Sequence, residues 1–187
     1  MKNFKDYIKF YWLEDYLFKK VSENFRLNGY LTVEDFFAIV IWKRNASKTK
    51  IKDALIRNGI NIENLTKKIF NESNHKEKMR LLIGDQIGIS FASAILTICY
   101  PSDFTIADYR VLNSLKNRYG NEIMLSEISN VEDYFSYLEI CKKFATREGV
   151  SLRDFDRMLW GMDFYDGKNG LTELVEKYRN KQLEPIR

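Results

Sequence analysis

The residues best placed to do chemistry fall in one stretch of the chain, residues 79–118. An apolar run ends at Gly84, passes through Asp85, Gln86, Ile87 and Gly88, and continues into a segment whose middle, Ala92-Ser93-Ala94, is unusually small. The spacing predicts a short helix ending at Gly84, a tight turn, and a second helix from about Ser90 to Tyr100 that Pro101 stops. A glycine-containing turn feeding a helix N-terminus presents unbonded backbone N–H groups and the positive end of the helix dipole, a combination that holds an anion. Further on, Phe104-Thr105-Ile106-Ala107 leads to Asp108, which lies 18 residues beyond Ser90 at the head of the next helix. Thr105 to Asp108 also fits a capping box, in which the carboxylate serves only backbone donors.

Other side chains offer less. Arg110 suits either a phosphate or a surface carboxylate. Trp42 and Trp160 each close an apolar helix and fit the core, or a platform on which a base stacks. Asp156 is the best second carboxylate. His75 sits among Asn, Glu and Lys and reads as an exposed loop residue. With one His and with Cys99 and Cys141 far apart, no side-chain metal site and no iron–sulfur cluster are expected. The chain contains no Gly-x-x-x-x-Gly-Lys, Gly-x-Ser-x-Gly or His-Glu-x-x-His motif.

The order of these parts resembles the helix-hairpin-helix DNA glycosylase superfamily, the base-excision enzymes of the endonuclease III and adenine-glycosylase type. Leu82, Ile87, Gly88 and Ala92 match that family's hairpin, Ala94-Ile95-Leu96 its following helix, and Phe104 to Asp108 the loop that delivers an aspartate. The match covers residues 81–115. Two departures stand out. Asp85 and Gln86 replace the Pro-Gly of the hairpin, at a cost of about 1 kcal/mol if that backbone position has positive φ. Ser90 occupies the position where bifunctional members carry a lysine, and a hydroxyl forms no imine.

The resemblance implies a monofunctional glycosylase acting on double-stranded DNA. Gln86, Gly88, Ile89, Ser90 and Arg110 would meet the DNA, with K⁺ or Na⁺ among the hairpin carbonyls as the only implied cofactor. A flipped nucleotide would sit near Trp42, Trp160 and Asp156. Asp108 would stabilise the positive charge that develops on the deoxyribose and orient a water, as carboxylates do in glycoside hydrolysis. A non-catalytic helix-hairpin-helix module that binds DNA or a protein partner is the alternative.

The elements that must carry these residues are helices. Phe4, Tyr7, Ile8, Tyr11, Trp12, Phe18, Val21 and Phe25 form one stripe ending at the C-cap Asn28-Gly29. Thr32-Val33-Glu34-Asp35 is a capping box opening a helix that is apolar nearly all round to Ile41, and so is expected to be buried between neighbours. Residues 50–80 read as two or three short helices broken near Asn58-Gly59 and Asn71 to Asn74. Val131 to Phe144 is a further stripe, Ser151 opens a helix carrying Leu152, Phe155, Leu159 and Trp160, and residues 171–181 form a last one. No alternating run is long enough for a strand. The expectation is an all-α, two-lobed helical domain with a helix-hairpin-helix motif at about 79–100.

Composition sets the outer bounds. At 187 residues, the chain suits a single domain spanning 1–187. An aromatic share of 14% excludes a disordered chain. The first residues, Met1 to Asp6, lack the apolar stretch of a signal peptide, so a cytoplasmic protein without membrane contact is expected; the sequence leaves the oligomeric state open, with a monomer as the default expectation. A net charge of +4 says little, but Lys43, Arg44, Lys48, Lys50 and Lys52 cluster, as do Lys67, Lys68, Lys76, Lys78 and Arg80. Such runs read first as solvated helix faces and second as phosphate contacts.

Overall fold

Short polar residues just ahead of apolar stripes open most of the helices. A computed structural model describes residues 5, 14–84, 87–167 and 171–172, and within them the chain is helical with no strand. A π-helical turn, Leu17–Val21, runs into α1 (Ser22–Asn28). There follow α2 (Val33–Arg44), α3 (Lys48–Arg57), α4 (Ile62–Asn71), α5 (His75–Gly84), α6 (Ile89–Cys99), α7 (Tyr109–Tyr119), α8 (Val131–Glu148) and α9 (Leu152–Asp166). The all-α expectation holds, with breaks near residues 58 and 72 as the Asn and Gly signals indicate. The stripe positions Phe4 to Trp12, the turn residues Asp85 and Gln86, and most of the helix at 171–181 lie outside the described residues.

Side-chain caps explain the boundaries. Thr32, Asn61, Asn130 and Ser151 each accept a hydrogen bond from the backbone N–H three residues on. Gly29 ends α1 in the left-handed region at φ 75°, where any other L-residue would be strained. Local signals mislead in two places. The Asp35 carboxylate accepts from Asn24 Nδ2 at 3.2 Å instead of returning to the cap, and so ties α2 to α1. And α2 is not buried all round, because Val33 and Ile41 are half exposed.

Packing divides the helices into two groups. α6 is buried from Ala92 to Cys99 and lies against α1, α2 and α5, while α9 packs against α7 and α8. The groups meet where α5 touches α8, and the buried side chains form one continuous cluster. Its largest members, Phe25, Phe36, Phe104, Tyr134, Tyr137, Phe144 and Phe155, each contribute on the order of 2–3 kcal/mol by burial. Among the described residues no helix is long and apolar enough to cross a membrane.

Candidate functional site

The segment leading to Asp108 is extended and buried, and its backbone polar groups are met by side chains from both helix groups. Phe104, Thr105, Ile106 and Ala107 are all buried. Tyr134 of α8 donates its hydroxyl to the Thr105 carbonyl at 2.8 Å, and Tyr137 donates to the Ile106 carbonyl at 3.0 Å. From the other side, Ser93 of α6 accepts the Ala107 N–H at 2.9 Å while donating to the Ser90 carbonyl at 3.1 Å. Outside any helix, these buried groups would otherwise go unpaired, at about 1–3 kcal/mol each. The small residues of α6 admit the segment and supply one of its bonds.

Asp108 is thereby delivered at the N-cap of α7. Its Oδ1 accepts the Arg110 N–H at 3.0 Å, and its Oδ2 accepts from Lys43 Nζ at 2.6 Å. Thr105 is therefore not the capping residue that the sequence pattern indicates. Its hydroxyl is buried with no partner, and the cap falls to Asp108 because the chain stays extended through Ala107. The Lys43 and Asp108 side chains retain only 10% and 18% of their exposure, so the pair is largely withdrawn from water.

Beside this carboxylate lies a cleft of about 400 Å³. Ser90 and Asp108 line it together, with Ile89, Leu112 and Ile128 as apolar wall and Tyr109, 68% exposed, at its edge. The lining includes the acids Asp108 and Glu127 and no lysine or arginine. Gly88 caps α6 with no side-chain bond, and a Cβ placed there meets nothing within 4 Å. The first intrahelical bonds of α6 are donated by Phe91 and Ala92, both to Gly88, so the Ile89 and Ser90 amides belong to its unbonded first turn. The turn that would hold a monovalent cation includes Asp85 and Gln86, which, like the predicted DNA contact at Gln86, lie outside the described residues.

The remaining predicted residues do not join this cleft. Arg110 pairs with Asp163 at 3.7 Å, with its guanidinium 6.0 Å from the centre of the Trp160 ring. Trp160 is half-buried and stacks on Phe164 at 5.0 Å. Trp42 is half-buried under the Arg153 guanidinium, 5.9 Å from its ring centre. Asp156 is buried in a charged cluster in which Arg153 bridges it to Glu14 and Arg157 also reaches Glu14. Burial pushes the Asp156 carboxyl up to about 6 against the opposing pull of Arg153 and Lys43, and its Oδ1 has no hydrogen-bond partner. His75 is not an exposed loop residue: it begins α5, half-buried, with its ring 4.9 Å from that of Phe104.

Lys43 is the member of the site that sequence reasoning missed. In the chain it opens a run of basic residues and looks like its neighbours. Its one distinguishing mark is its place in the last turn of an apolar helix, directly after Trp42. Lys78 leaves the solvated set in the same way, buried and donating to the Ile69 carbonyl at 2.6 Å, and burial lowers its amine below the usual lysine range. Lys76 and Arg80 both pair with Glu132 across α5 and α8. Comparison with protein-family models, curated proteins and solved structures finds no match to this chain.

Proposed function

We propose that this protein binds double-stranded DNA and hydrolyses the N-glycosidic bond of a flipped nucleotide, with Asp108 as the catalytic carboxylate. The observation that carries this reading is the shared cleft. Ser90, at the start of one helix, and Asp108, at the start of the next, face the same space although the chain passes through a helix and an extended segment between them. Cleavage of the bond leaves the electron pair with the base and builds positive charge at C1′ of the sugar. A fixed carboxylate in a cleft without lining cations stabilises that charge, and water adds to the same carbon as the base departs. The first-turn amides of α6 and the open backbone at Gly88 suit a phosphate of the DNA strand. Ser90 supplies a hydroxyl and no amine, so the reaction ends at base release, without an imine through this position.

One observation favours a second reading, a module that holds DNA without chemistry. Both oxygens of Asp108 already have partners within the chain, so the carboxylate has work to do without a bound nucleotide. The two readings separate without knowing the base. Binding is measured for wild type and Asp108→Asn, across a salt series, on an unmodified duplex and on one carrying a cationic azasugar. Hydrolysis predicts a preference for the azasugar of at least about 100-fold in wild type. That preference disappears in Asp108→Asn, while plain-duplex affinity and thermal stability stay near wild type. Equal, salt-sensitive binding to both duplexes establishes the module, and binding to neither removes the nucleic-acid reading.

A further inference from the structure

Asp108 does not stand alone in its wall of the cleft. A purely structural cap needs one accepted backbone N–H, which the Arg110 amide supplies through Oδ1. The second oxygen is held from elsewhere in the fold, by an amine on α2 that is 65 positions away in sequence. Bringing Lys43 to a 10%-exposed position is costly unless the pair is well made, because a lysine ammonium loses its hydration there. An amide at one oxygen and an ammonium at the other fix the plane of the carboxylate, so that it meets the cleft in one orientation.

We propose that Lys43 is the positioning residue of Asp108: it sets the orientation of the carboxylate in the wall of the cleft. The inference rests on the reading of Asp108 given above. Lys43 touches neither the sugar nor the base and is absent from the cleft lining. It acts only through Asp108.

That restriction makes a double-mutant cycle decisive. Affinity for the azasugar duplex relative to the plain duplex is measured for wild type, Lys43→Met, Asp108→Asn and the double variant, each checked for cooperative unfolding. Lys43→Met is expected to lower the azasugar preference by about 10-fold or more, in line with the sensitivity of such sites to displacements of an ångström. Introduced on top of Asp108→Asn, the same change is expected to alter the preference less than twofold. Lys43→Arg, which restores a cationic donor, recovers part of the loss. If Lys43→Met fails to fold, Lys43→Gln and Lys43→Arg replace it, and only the arginine variant is expected to retain the preference.

Equal losses of affinity for the azasugar and the plain duplex in Lys43→Met overturn the proposal. Accompanied by a salt slope smaller by about one, they would assign Lys43 to a DNA phosphate instead. An unchanged or increased preference in Lys43→Met overturns it as well, because the amine would then be neutral or a restraint. Failure of the function reading itself is seen separately, as absence of azasugar preference in wild type, and it takes this inference with it.

Discussion

At the scale of single residues, the site depends on hydroxyls as much as on charges. Tyr134, Tyr137 and Ser93 occupy buried positions where Phe or Ala would pack equally well, yet each places its oxygen on the backbone that precedes Asp108. Desolvation keeps both tyrosines far from ionising, so they act as neutral donors at any working pH. Tyr137→Phe retains the ring and deletes one hydrogen bond, leaving the Ile106 carbonyl unpaired. We expect a loss of about 1–3 kcal/mol in unfolding free energy, or roughly 2–12 °C in melting temperature for a domain of this size. The azasugar preference should fall by about 10-fold while plain-duplex affinity holds. A stability loss with no change in preference would reduce Tyr137 to packing.

At the scale of elements, α6 starts without a side-chain cap, as α1 and α3 also do, and it is the one of these that opens onto the cleft. Four helices are capped by a Ser, Thr or Asn side chain and α7 by Asp108, whereas α6 begins at Gly88 with no side-chain cap bond. Nothing internal requires glycine there: its φ is −65° and the space around its Cβ position is open. What a bare backbone does offer is close approach by something outside the chain. Gly88→Ser adds a cap and should leave the unfolding free energy unchanged or raised by about a few tenths of a kcal/mol. The prediction is that the same variant binds plain duplex at least about fivefold more weakly, by filling the space a phosphate uses. Unaltered affinity would show that DNA does not approach this helix end.

At the scale of the whole molecule, charge is spent on holding distant segments together. The buried cluster of Glu14, Arg153, Asp156 and Arg157 spans 139 positions between Glu14 and Arg153. It has a pH signature. Burial raises the Asp156 carboxyl from 3.8 to about 6, so between those values the native state holds a proton that the unfolded chain has lost. The resulting stability is fully present below the unfolded value and is lost as pH rises through about 6. Asp156→Asn is neutral throughout. Between pH 4 and 7 the variant should therefore gain on wild type by on the order of 2–3 kcal/mol, measured by denaturant unfolding. A difference that stays flat over this range would mean that Arg153 and Lys43 fully offset the burial.

The same division by range separates what the chain announces from what folding decides. Helix class and most boundaries were legible because their causes lie within four residues: Thr32 and Asp35, Asn28 and Gly29, Ser151 and Asp154 interact locally whatever the rest of the chain does. Ser90 and Asp108 were each singled out from motif order, and the fold brings both to one cleft. Lys43, by contrast, differed from Arg44 and Lys48 in the sequence only by its place directly after Trp42. His75 looked exposed and Thr105 looked like a cap. Each of these depends on contacts tens of positions away, and no local pattern encodes which basic residue in a run meets a carboxylate, or which hydroxyl is buried. By itself the sequence determined the helices and most of their ends; the tertiary structure alone decided which charges those helices take out of water, and hence how Asp108 is held.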